Sequence, residues 1–323
     1  MLVLMNFCRD SGRVSNPTTV VEPPRVPAST SWRVLAAAGF TVVAWASAFV
    51  VIRFVGRDYS PGALSLGRLV VGSLALSLIM ALGRRWVSMS RRDWVLVTVM
   101  GVLWFAVYMV ALSAGEQQVD AGTAAMLIQL APILIGVLAG ILLGEGFPRM
   151  LVIGGLIAFA GTLLIGFATR TGHADLVGAL LVLLAAVVYA VAVVAQKVVL
   201  RRIPGLQVTW LAALIGTVAC LPFTPSLITD VGNASVGATL GVLYLGLVPT
   251  AAAFLTWAYA LARSDAGRLG ATTYAVPPIA IVLGWIFLDE VPALLAVIGG
   301  AISLIGVAIA RRPTKRPAVV PPN

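Results

Sequence analysis

Residues 120–145 read DAGTAAMLIQLAPILIGVLAGILLGE, and residues 265–290 read DAGRLGATTYAVPPIAIVLGWIFLDE. From 121 to 144 the first segment carries no charged side chain, and about 20 apolar residues suffice for a helix to span hydrocarbon. At a fixed shift of 145 residues the two segments match at telling places. Asp120-Ala121-Gly122 falls on Asp265-Ala266-Gly267, Pro132 on Pro277, and Glu145 on Glu290. The match continues as Gly154-Gly155 on Gly299-Gly300 and Gly161 on Gly306. It fails earlier, where Trp45 meets Ala190 with Tyr189 one place off. The repeat therefore relates helices 4–5 to helices 9–10 in the reading below.

Working outward, ten charge-free runs appear, at 34–52, 69–83, 94–115, 121–144, 150–169, 176–196, 203–229, 231–262, 269–288 and 291–310. Arg68 cuts the second short, and that helix is extended back to Pro61. Pro222 and Pro225 are expected to end the seventh, with a turn at Gly232–Asn233 before the eighth. Of 323 residues, 60% are apolar and only 11% charged, and the mean hydropathy is +1.03. Soluble domains run about 45–50% apolar and about 25% charged, so a water-soluble fold is excluded. Barrel strands would be about 10 residues of alternating polarity, a pattern that is absent. The fold class expected is an all-α integral membrane protein of ten transmembrane helices. Five helices per half is an odd number, so the second half enters from the opposite side. Such inverted five-helix repeats are typical of secondary transporters. The halves are placed at 33–169 and 176–310, flanked by a disordered tail at 1–32 and a short Pro- and Arg-containing tail at 311–323.

The net charge of +10 invites a nucleic-acid reading, but its placement argues otherwise. With both termini cytoplasmic, 18 of the 22 cations fall on the cytoplasmic side, and Arg53, Arg57, Arg68 and Arg170 do not. That bias is the positive-inside pattern. A nucleic-acid surface needs clustered charge, so no nucleic-acid partner is expected. Trp32, Trp86 and Trp94 sit at cytoplasmic helix ends as interfacial anchors would. Arginine outnumbers lysine 20 to 2, a composition that hints at a GC-rich bacterial genome and hence a bacterial cytoplasmic membrane. Cys8 and Cys220 lack metal or disulfide spacing, and His173 stands alone, so no metal, cofactor or catalytic triad is expected. Without a G-x-x-x-x-G-K loop, ATP-driven transport by this chain is excluded too.

The sequence resembles the drug/metabolite transporter superfamily, specifically its EamA-type ten-helix members. Ala44-Trp45-Ala46-Ser47-Ala48-Phe49-Val50-Val51-Ile52-Arg53, Arg68, and Ala121-Gly122-Thr123-Ala124-Ala125 through Pro132 to Gly144-Glu145 carry the resemblance. The second half adds Pro277 through Leu288-Asp289-Glu290. The resemblance covers roughly residues 33–310 and implies two five-helix repeats, cytoplasmic termini and a central substrate cavity. It leaves the substrate open among amino acids, other metabolites and drugs.

Polar groups in hydrocarbon are costly and so are functional candidates. Arg53, Arg68, Glu116 and Asp120 gather at one membrane edge, as a gate, an ion pair or an anchor for a substrate carboxylate. A static pair or a snorkelling arginine explains them as well. Trp45, Trp104, Tyr108, Gln129, Tyr189, Thr250, Trp257 and Tyr274 fall near mid-membrane and suit the aromatic, sparsely polar wall of a small-molecule site. Packing or lipid-facing roles compete for each ring. Pro132 and Pro277 each remove a mid-helix hydrogen bond, giving candidate hinges or static bends. Gly136, Gly140 and Gly144 form a small-xxx-small stripe suited to close helix packing, and Glu145 and Glu290 suit capping roles. The function expected is secondary transport, not enzymatic catalysis: export of small neutral or zwitterionic metabolites such as amino acids by alternating access. Efflux of hydrophobic drugs or dyes is the rival, and a non-transporting scaffold or sensor a remoter one. The partners expected are a small-molecule substrate and the lipid bilayer, with the protein a monomer or homodimer.

Overall fold

The computed structural model describes residues 31–83, 86–116, 118–119, 124, 127–169, 175–288 and 293–312. Asp120, His173, Arg170, Cys8, Glu290, most of both tails and most of the Ala121–Ala125 motif lie outside the described residues. Among those described, helices dominate and no strand occurs. In order they are α1 (Trp32–Val55), α2 (Pro61–Gly83), α3 (Arg91–Glu116), α4 (Leu130–Leu142) and α5 (Arg149–Thr169). There follow α6 (Leu176–Val199), α7 (Gly205–Asn233), α8 (Val236–Arg263), α9 (Ala266–Phe287) and α10 (Leu294–Ala310). Eight are long and apolar enough to cross a membrane; α4 at 13 residues and α10 at 17 are the shorter two. Outer faces carry large exposed apolar side chains, among them Leu156, Phe167, Trp285, Phe287, Leu294 and Ile305. Water would not tolerate patches of this extent, and lipid does.

The helix starts are written in local chemistry. Ser90 and Asp93 form a reciprocal capping box at α3, which satisfies amides that have no partner within the helix. Asp175 and Ser235 accept from Gly178 N and Ala238 N to cap α6 and α8. The start of α9 is capped from the turn that follows α4. Glu145 accepts from Ala266 N at 2.8 Å and Gly267 N at 3.0 Å. It is presented by Gly144 and Gly146, both at φ +69°, a left-handed conformation that glycine adopts without strain.

Neighbouring helices run antiparallel where hydrogen bonds register them. Along α1 and α8, Thr41 meets Thr256, Trp45 meets Pro249, Ser47 meets Tyr244, and beyond the helix end Tyr59 meets Thr239. Ser73–Thr217 and Ser77–Trp210 do the same for α2 and α7. α5 and α10 touch backbone to backbone. A Cβ on Gly161 would lie 2.5 Å from Gly299 O, and Gly154 faces Gly306 in the same way.

Four expectations about the helices need correction. The first α-helical part of α7 ends at Cys220, ahead of Pro222, but the chain stays helical: Pro222 and Pro225 each occupy the first turn of a further segment, Leu221–Phe223 and Thr224–Asn233, where no amide is needed. That last segment includes Gly232–Asn233, so the expected turn does not fall there. Pro132 and Pro277 are likewise not mid-helix. The chain turns at Gln129 and restarts at Leu130, and α9 passes through a 3₁₀ turn (Thr272–Ala275) and restarts at Val276. Both prolines thus sit in first turns of restarted segments. The next residue, Pro278, leaves Tyr274 O without its helical donor, and the Ser303 hydroxyl takes that place at 2.8 Å. The glycine stripe is only partly a packing face: Gly136 approaches Gly267, Gly140 faces the Phe147 ring, and Gly144 belongs to the turn.

Candidate functional site

A partly open cavity lies among α1, α2, α3, α4, α6, α8 and α9. Its wall includes Trp45, Trp104, Tyr108, Gln129, Tyr189, Arg68, Glu116 and Pro132 from the expected residues.

The aromatic wall is one connected cluster drawn from four helices. Trp45 sits 5.5 Å from Phe254 and 6.2 Å from Trp104, centroid to centroid. Trp104 sits 4.8 Å from Phe254 and 4.9 Å from Tyr189, and Tyr108 sits 5.6 Å from Tyr189. Tilted and edge-on pairs at these spacings are favourable ring geometries. Trp104 and Tyr108 lie in a π-helical stretch of α3, Gly101–Tyr108. A second π-helical stretch, Gly246–Ala252, interrupts α8. These stretches begin 145 residues apart, so the spacing read between helices 4–5 and 9–10 holds here as well.

Arg68 is 9% exposed and lines the cavity from α2. Its Nε donates to Thr250 Oγ1 at 3.1 Å. The Thr250 hydroxyl in turn donates to Leu245 O at 2.8 Å. Both residues of that bond belong to, or flank, the π-helical stretch that contains Pro249. No carboxylate of a described residue lies within ion-pair distance of Arg68. Glu116 lines the same cavity from the end of α3, with Arg53 and Arg68 in electrostatic reach. Gln129 lies at the turn before α4, its amide without a hydrogen-bond partner among the described residues.

Three expected wall residues lie elsewhere. Thr250 stands behind Arg68 as its support. Trp257 is fully buried beneath Trp45, at 5.0 Å, and donates to Gln196 Oε1 at 3.1 Å. Tyr274 packs instead with Ala158, Phe159 and Ala310. Each is apolar-run polar or aromatic in sequence, and only helix rotation separates wall from core. Pro277 is buried near the cavity without lining it, and Arg53 is exposed at the end of α1. Asp120 lies outside the described residues. Ser113 and Thr273 line the wall without being picked from the sequence as site residues. Phe254 lines it too, from the helical face that it shares in the sequence reading with Thr250 and Trp257. Pro249 carried one too, as a proline inside an apolar run next to a threonine.

Helices with lipid-suited faces around a partly open, aromatic and charged cavity define a multi-pass membrane transport protein. The EamA-like transporter family profile matches twice, at residues 32–167 and 176–312. The chain belongs to the EamA-like transporter family. It is 42% identical over 277 residues to a protein of Streptantibioticus cattleyicolor named "Probable terminal-alkyne amino-acid exporter", covering 85% of this chain and 92% of that one. It is 33% identical to the uncharacterized transporter YdfC of Bacillus subtilis, covering 81% and 86% of the two chains. A solved crystal structure with 24% identity superposes at a TM-score of 0.70, covering 86% of this chain and 96% of the other. That likeness concerns the fold.

Proposed function

We propose that this transporter exports small zwitterionic metabolites, amino acids foremost, from the bacterial cytoplasm. Two inverted five-helix halves, 33–169 and 176–310, alternate access to the shared cavity, with both termini cytoplasmic. The cavity carries the reading: an aromatic wall with Arg68, unpaired to any described carboxylate, suits a small solute bearing a carboxylate. The two profile matches support the halves, as does the packing. Gly154 against Gly306 and Gly161 against Gly299 exchange places when the halves are swapped at 145 residues. The similar S. cattleyicolor protein, named as a probable amino-acid exporter, supports the substrate class.

Purified protein in liposomes should exchange radiolabelled amino acids from a mixed panel. Trp104→Ala or Gln129→Ala should reduce that exchange severalfold while leaving insertion intact. Transport of hydrophobic dyes with no amino-acid exchange would replace this reading with drug efflux, which the same rings favour.

A further inference from the structure

Arg68 and Glu116, a guanidinium and a carboxyl group, share one cavity wall and form no ion pair with each other. Opposite charges this deep in apolar surroundings ordinarily pair, because each is costly to bury alone. Here Arg68 is turned by its Nε bond to Thr250, which occupies one edge of the guanidinium. The remaining donors suit a two-oxygen acceptor, since guanidinium and carboxylate match in geometry. Glu116 offers only acceptors when ionised, and the rings of Trp104 and Tyr108 share its cavity.

We propose that Arg68 and Glu116 form a zwitterion clamp: Arg68 takes the substrate carboxylate, Glu116 takes its ammonium, and the apolar side chain enters the ring cluster. The proposal rests on the export reading and narrows it to free α-amino acids with apolar or aromatic side chains. A substrate lacking either charge leaves one protein charge buried without its partner, which is heavily penalised. The clamp is therefore a selectivity device against peptides, amides and N-acylated amino acids.

The test is competition in proteoliposomes containing the full chain, with counterflow of radiolabelled L-phenylalanine and L-leucine. Unlabelled free amino acid should inhibit at concentrations at least tenfold lower than its N-acetyl or amide form. Equal inhibition by the N-acetyl form overturns the clamp even though transport itself is intact. Glu116→Gln should narrow the gap for the N-acetyl form and leave that for the amide. Narrowing both gaps, or neither, removes Glu116 from the ammonium role. The wild-type competition decides by itself if that variant does not fold. Failure of every amino acid to show counterflow overturns the export reading instead, so the two failures are distinguishable.

Discussion

Arg68 is held from behind. The hydroxyl of Thr250, in the π-helical stretch that contains Pro249, donates to Leu245 O at 2.8 Å and presents its oxygen to Arg68 Nε at 3.1 Å. Hydrogen bonds to charged groups contribute about 1.5–3 kcal/mol. Thr250→Val preserves shape and removes this support. It should raise the KM for amino-acid substrates about tenfold with kcat changed less, read from proteoliposome kinetics, while expression stays normal. Arg68, Trp104, Tyr108 and Gln129 were legible in sequence because a charge, an amide or clustered rings stand out in an apolar run. Thr250 and Trp257 were legible as unusual and not as supports, since a fraction of a turn of helix rotation separates a wall from its backing.

Among the elements, α5 and α10 depend most on the absence of side chains. Gly161 faces Gly299 O and Ser303 N at 2.5 Å from where a Cβ would stand, and both obstacles are backbone. Gly155 on the same helix has nothing within 4 Å. Gly161→Val should force the two helices apart and cost about 3 kcal/mol or more, seen as a loss of monodisperse protein in detergent. Gly155→Val should leave the melting temperature within a few degrees. The glycine pairs were visible as a repeat; which glycines meet was not, because a period says nothing about helix rotation. The prolines misled for a related reason. Composition marks where a helix lacks a donor, yet Pro132, Pro222, Pro225 and Pro277 all occupy first turns of restarted segments, where the missing donor costs little.

At the scale of the whole molecule, hydrogen bonds tie the halves at both ends of the bundle. At one end, Ser60 N and Oγ donate to Asp230 at 2.8 and 2.9 Å, and Ser235 N and Oγ donate to Asp58 at 3.0 and 2.7 Å. At the opposite end, Gln207 bonds Val87 N and O, and Glu145 caps α9. If the halves rock about the cavity, a covalent link must stop them. Ser60→Cys with Asp230→Cys, in a background without Cys8 and Cys220, should lose transport on oxidation and regain it on reduction. Full transport by the oxidised protein would rule out movement there.

The Asp58 clasp adds a pH dependence. The Ser235 hydroxyl and amide hold the Asp58 carboxyl below the usual carboxylate range. A pKa depressed on folding stabilises above the unfolded value and loses that stabilisation as pH falls through the folded one. Wild type should therefore melt above Asp58→Asn at pH 7, and the gap should close below about pH 4.

The sequence by itself determined the solvent, the helical class and the family. Apolar runs of bilayer length, sparse charge and a recurring 145-residue spacing are properties of the chain that no folding can alter. Tertiary structure alone decided which of the intramembrane polar and aromatic residues share a cavity. It set Phe254 on the wall and Trp257 beneath it, and it put Thr250 behind Arg68 without bringing Glu116 into an ion pair. These outcomes turn on helix rotation and on a π-helical turn in α8. Spacing along one chain cannot specify such quantities, because they arise only where separate helices pack.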